Sequence, residues 1–209
     1  MKALRSFVSA LALLCAATGP GAAQAQGLDS EAVLLVAHPL FGDLDYRQTV
    51  ILAAPRPGGG HVGVILNRPT RRSLASLFPE HEPSKKVVEP VYYGGPFKRT
   101  ALVCLVRAEA IPGKDSVTMM SHLYMAFHAD TIDHIIETTP NAARYYVGYV
   151  EWQPGELLEE VERGLWHVLD ADPEVIFRKD TEGMWEELLH RTRRIRAAIE
   201  PSLAIRSVR

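Results

Sequence analysis

The chain has 209 residues, with 25 acidic against 23 basic side chains and a formal net charge of −2. That balance argues against general nucleic-acid binding, and 47% apolar content with no long low-complexity stretch suits one globular domain. Only two cysteines are present, Cys15 and Cys104, so a disulfide framework is excluded.

Lys2 and Arg5 precede an apolar run from Phe7 to Ala17, and Ala23-Gln24-Ala25 then reads as a signal peptidase site. The run is too short to span a bilayer, which favours cleavage over anchoring. Leu13-Leu14 before Cys15 does not supply the small residue that lipoprotein processing needs. The expected organisation is a signal peptide over 1–25, one domain over 26–200 and a C-terminal tail over 201–209, in a periplasmic or secreted protein. The alternative is a misassigned start and a cytoplasmic protein, although the next methionine is Met119.

Ala32–Ala37 and Thr49–Ala54 are short apolar runs that suit buried strands. Pro55 to Gly60 is a turn, and Val62–Leu66 resumes β-type composition, predicting a hairpin. A short helix is expected over Ser73–Phe78, a polar surface loop over Pro79–Lys86, and strands over Val87–Tyr93 and Ala101–Arg107. Val117–Phe127 fits either helix or strand. Asp130 is read as the N-cap of a helix ending near Thr138, before Pro140. Ala142–Trp152 predicts a strand, and Pro154 starts a helix with Leu157, Leu158, Val161 and Leu165 on one face. A short strand over Trp166–Leu169, a turn or single helical turn over Asp172–Phe177 and a helix over Glu182–Ile199 complete the chain. That last helix carries Trp185, Leu188, Leu189, Thr192, Ile195 and Ile199 as one stripe. Runs of strands with helices inserted late predict an α+β fold on a largely antiparallel sheet.

Four segments together resemble the YqgE/AlgH family: Tyr46-Arg47-Gln48-Thr49-Val50, Gly63 to Pro69, Tyr93-Gly94-Gly95-Pro96, and Gly148-Tyr149 through Trp152-Gln153-Pro154-Gly155-Glu156-Leu157, followed by Trp166. The resemblance spans about Val33 to Leu189, with Asp172-Pro173 and Trp185 also in place. It implies a bulged β-meander curled into a pseudo-barrel and flanked by helices. It implies no reaction chemistry, and the family's label of transcriptional regulator would require a cytosolic protein. Typical members look cytosolic and lack the signal. This chain also carries His38, Phe97 and Val150-Glu151-Trp152-Gln153 where the family pattern usually has methionine, a small apolar residue and Ala-Gly-Trp-Gly.

No catalytic, cofactor or metal-ligating set is assigned. Gly58, Gly60 and Gly63 satisfy G-x-G-x-x-G, but a strand rather than a helix follows, so a hairpin turn is the better reading. His122, His128 and His134 recur every six residues and could align only along one extended strand, which the helix at Asp130 interrupts. Cys104 lies among Leu102, Val103, Leu105 and Val106, the setting of an inert core thiol. The candidate anion or ligand site joins Asn67, Arg68, Gly94 and Gly95, with Trp152 as a further ligand-facing residue. Its occupant would be a small anion, a peptide or an envelope protein. Arg191, Arg193, Arg194 and Arg196 form a basic patch that suits a solvated helix face or weak membrane-surface contact. The leading reading is a non-catalytic exported binding module. The rivals are an envelope hydrolase using His38 with Asp43 or Asp45, and the cytosolic regulator.

Overall fold

The computed structural model describes the backbone of Leu28 and of residues 31–206, with side chains described as far as residue 198. The expected signal peptide lies outside the described residues, as do residues 207–209. Ten strands follow in chain order: β1 Val33–Ala37, β2 Val50–Pro55, β3 His61–Ile65, β4 Pro69–Ser73, β5 Pro90–Tyr93, β6 Phe97–Arg107, β7 Ser116–Met120, β8 Leu123–Ala126, β9 Ala143–Trp152 and β10 Trp166–Asp170. The helices are α1 Leu74–Leu77, α2 Ala129–Thr138, α3 Glu156–Glu162, α4 Pro173–Ile176 and α5 Met184–Arg206, with 3-10 turns at Glu82–Lys86 and Pro140–Ala142.

The main path of the sheet runs β10-β1-β2-β3-β9-β6-β8-β7, and a β4-β5 pair joins it through β9. Every ladder is antiparallel except that of β5 on β9. The path curls until β7 approaches β2, giving a half-barrel with helices outside it. This is the α+β architecture expected. Register shifts in β4, β6 and β7 supply bulges, which raise local twist and let the sheet bend.

β1 and β2 read as continuous apolar runs because both of their faces are covered, and all five residues of β1 are buried. Helix α5 lies on one side of β1, where the Trp185 indole donates to the Ala37 carbonyl at 2.8 Å. A second apolar cluster forms where Ile132, Ile135 and Ile136 of α2 meet Cys104, Val106 and Tyr145. Those isoleucines are spaced three and four apart, which is one helical face.

Several expectations need correction. Pro69–Ser73 forms a strand that its proline and two arginines conceal; β4 pairs with β5 alone among the described residues, so the proline costs no second ladder. Part of the predicted loop over Pro79–Lys86 is a 3-10 turn. Val117–Phe127 resolves into the β7–β8 hairpin, with His122 at φ +58° in its turn. The N-cap of α2 is His128, not Asp130, whose carboxylate sits in the first turn where it favours the helix dipole. Pro154 precedes α3 rather than opening it, because Gly155 at φ +86° is the cap residue. The apolar stripe of α5 leaves the core after Thr192, with Ile195 exposed, and the helix continues past Ile199 to Arg206, through part of the expected tail.

Candidate functional site

Three of the sequence motifs converge on one joint. The loop between β1 and β2 carries Tyr46-Arg47-Gln48, and Asn67-Arg68 lies between β3 and β4. Asn67 accepts from the Val50 amide at 2.9 Å and donates to the Gln48 carbonyl at 2.9 Å. The Arg68 guanidinium reaches the carbonyls of Asp45, Arg47 and Leu44 at 2.8, 3.1 and 3.3 Å. Burial pulls the Arg68 pKa down, against Tyr93 and Asp45, which favour its charge. One asparagine and one arginine therefore clamp the stretch 44–48 of this loop through four of its carbonyls.

The Tyr93-Gly94-Gly95-Pro96 turn closes the other side of this joint. The Tyr93 amide donates to the Arg68 carbonyl at 2.9 Å, the Ile65 amide donates to Gly94, and Gly94 donates to Val147. The Tyr93 hydroxyl and Arg99 both donate to the Asp45 carboxylate, at 3.0 and 2.8 Å. Burial first, then the hydrogen bond to Asp45, raises the Tyr93 pKa. Opposite the turn is Gly148 at φ +70°. A Cβ on Gly94 would lie 2.2 Å from the Gly148 carbonyl oxygen, one on Gly95 2.4 Å from that of Tyr149, and one on Gly148 2.3 Å from that of Gly95. Backbone meets backbone here with no room for a methyl group.

The two turns that carry Asn67, Arg68, Gly94 and Gly95 are thus brought together, and their polar groups are turned toward the chain itself. Trp152 lies elsewhere, in the core beneath α3. Its indole and that of Trp166 donate to the same Glu160 oxygen, at 2.9 and 2.7 Å. The Trp152 to Trp166 motif is a staple in which a single carboxylate serves two buried indoles.

Beside the joint the surface opens into a groove of about 460 Å3. Val91 of β5, Val147 of β9 and Leu102 of β6 line it with Phe78, and Thr70 and Arg72 of β4 and Arg99 and Thr100 of β6 supply its polar lining. Arg72 is exposed, and the Arg99 side chain is 60% exposed although paired with Asp45. Sequence reasoning missed this groove, because its basic wall comes from the strand that was not recognised.

It also missed Arg144, the largest fully buried side chain among the described residues. Its Nε donates to Glu89 at 2.7 Å, and its two terminal nitrogens donate to the carbonyls of Ile176 and Arg178, both at 3.0 Å. The guanidinium lies over the Tyr92 ring, 4.6 Å from its centre. A single arginine thereby ties β9 to the segment before β5 and to the end of α4.

The order of these motifs along the chain finds its counterpart in known proteins. A family profile described as AlgH-like matches residues 34–195. This chain belongs to the AlgH-like family. A UPF0301 protein of Mycobacteroides abscessus is 31% identical over 161 residues, covering 76% of this chain and 77% of that one. The UPF0301 protein ML0028 of Mycobacterium leprae is 29% identical over 161 residues, covering 76% and 80%. The crystal structure of DIP2367 from Corynebacterium diphtheriae superposes with a TM-score of 0.62 at 24% identity, covering 80% of this chain and 91% of that one. The solution structure of AlgH from Pseudomonas aeruginosa gives 0.62 at 21% identity, covering 77% and 87%. At those identities the two structures establish the shared fold.

Within this AlgH-like chain the remaining candidate groups are dispersed. His38 Nδ1 accepts from the Leu40 amide at 3.2 Å and its ring lies beside His167, Asp43 accepts from the Asp45 amide at 2.7 Å, and the Asp45 carboxylate faces Tyr93 and Arg99. Each of the three is thus held by a different partner. His122 sits in a hairpin turn, His128 caps α2 and His134 is exposed on that helix. Gly58, Gly59 and Gly60 all have positive φ and close the β2–β3 hairpin. Cys104 is buried, which pushes its thiol up to about 12. Of the basic patch, Arg191 contacts Asp172 at 3.3 Å, whereas Arg193, Arg194 and Arg196 are exposed.

Proposed function

We propose that this AlgH-like protein is an exported, non-catalytic binding module whose groove receives an acidic peptide segment of an envelope protein. The observation that carries the reading is the pairing of apolar Val91, Leu102 and Val147 with Arg72 and Arg99 in the lining of one groove, in a chain of formal charge −2. Apolar side chains of the segment pack on those three apolar residues, and its carboxylates meet the guanidiniums, which suit carboxylate recognition by their planar fork of donors. The separate engagements of His38, Asp43 and Asp45 and the raised pKa of the Cys104 thiol support binding over hydrolysis.

The probe is a fluorescein-labelled decapeptide alternating valine and glutamate, read by anisotropy at low salt. Arg72→Ala and Arg99→Ala are each expected to weaken it about five-fold, corresponding to about 1 kcal/mol per exposed charge contact, and salt is expected to weaken it further. Unchanged binding in the double variant overturns the groove as the site. Export is tested separately, by the intact mass of C-terminally tagged protein from periplasmic and cytosolic fractions. A periplasmic product beginning near Gln26 is expected; an uncleaved cytosolic product overturns the compartment and restores the regulator.

A further inference from the structure

The groove shares Phe78 and Leu102 with a second cavity of about 480 Å3 on the side of α2, lined by Phe127, Ile132 and Ile136 and with His81 and Asp133 at its edge. His81 sits just before the 3-10 turn, and Asp133 and Glu137 lie four residues apart on α2, so turn and helix bring one imidazole and two carboxylates together. Their ligand atoms all lie within 4.8 Å of one another, the one such set of three among the described residues.

Two features of the set suit a bound cation. Asp133 and Glu137 are like charges at a spacing that destabilises a helix, and Glu137 stands in the last turn, where the helix dipole favours a cation. No basic residue of α2 occupies that turn. His81, meanwhile, is already oriented for ligation. Its Nδ1 is 2.7 Å from the hydroxyl of Ser84, a fully buried residue, so Nε2 is the nitrogen left facing the carboxylates. With Nδ1 protonated, the hydroxyl accepts from it in the way that a carboxylate, carbonyl or water does behind a metal-bound histidine. The Nε2 to Asp133 Oδ1 separation is 3.3 Å, about the edge of a tetrahedron whose centre lies 2.0–2.1 Å from each ligand.

We propose that His81, Asp133 and Glu137 form a divalent-cation site of the zinc class at the edge of this cavity. Three protein ligands leave one tetrahedral position for water or a ligand oxygen. An imidazole nitrogen in the set favours zinc over magnesium or calcium, which take oxygen. The proposal stands apart from the groove reading, since none of its ligands lines that groove.

The test is calorimetric titration of ZnCl2 into the untagged protein after dialysis against EDTA. One equivalent is expected to bind saturably, with X-ray absorption showing nitrogen and oxygen neighbours at 2.0–2.2 Å and no sulfur. His81→Ala and the double variant Asp133→Asn with Glu137→Gln are each expected to weaken binding at least 100-fold, and Ser84→Ala about ten-fold. The double variant alters only exposed side chains, so retained circular dichroism and melting behaviour separate lost binding from lost folding. Absence of one-to-one binding, equal uptake of Mg2+, or unchanged affinity in the folded double variant overturns the proposal.

Discussion

Alanine at Gly148 is expected to remove about 3–4 kcal/mol of stability, combining about 1–2 kcal/mol for a side chain in the left-handed region with the strain of forcing a methyl group into packed backbone. The added Cβ would stand 2.3 Å from the Gly95 carbonyl and 3.1 Å from that of Phe97, and neither can swing aside as a side chain would. The first lies in the turn that hands β5 over to β6 and the second opens β6, so relief requires parting β9 from both. Urea unfolding measures the loss against a typical total of about 5–15 kcal/mol. Gly155→Ala supplies the control: its φ is +86° but nothing lies within 4 Å of the added Cβ, so only the conformational part, about 1–2 kcal/mol, is expected. Equal losses at the two positions would show that the close approach contributes nothing.

Arg144→Ala is expected to cost about 3–5 kcal/mol, the range for breaking a buried charge pair from one side. Truncation leaves a cavity over Tyr92 and strips the carbonyls of Ile176 and Arg178 of their donor. It also leaves the Glu89 carboxylate, 29% exposed, without its partner. Arg144→Lys keeps the charge but cannot serve three acceptors in one plane, so it is expected to recover less than half of the loss. Glu89→Gln keeps an acceptor near Nε with partial access to water, and should cost about 1–2 kcal/mol. The three variants are compared by urea and thermal unfolding. A loss below about 1 kcal/mol for Arg144→Ala would mean that the guanidinium is dispensable to the fold.

The two positions differ in how far sequence announces them. Gly94 and Gly95 end one β-type segment and Gly148 interrupts another, where glycine weakens a strand unless backbone must approach backbone. Their importance was legible, and the structure adds what each approaches. Arg144 gives no such signal. It follows two alanines and precedes two tyrosines, and nothing in that run indicates that the carbonyls ending α4, more than thirty residues later, will need a donor. The same holds for His81, which reads as one polar residue of a loop until α2 places Asp133 beside it.

The apolar runs of β1, β2, β3 and β9 and the isoleucine stripe of α2 determine their own secondary structure, because burial on one or two faces writes a period into the residues themselves. Motif order likewise determines family membership. What only tertiary structure decided is which polar groups meet. Asn67 and Arg68 hold the loop before β2, Glu160 serves two indoles, and Asp45 joins Arg99 and Tyr93 rather than His38. These pairings depend on strand order, and strand order places β9 between β3 and β6 although about eighty residues separate β3 from β9. A local pattern records whether a residue faces core or solvent; it holds no record of the partner that a distant crossover brings.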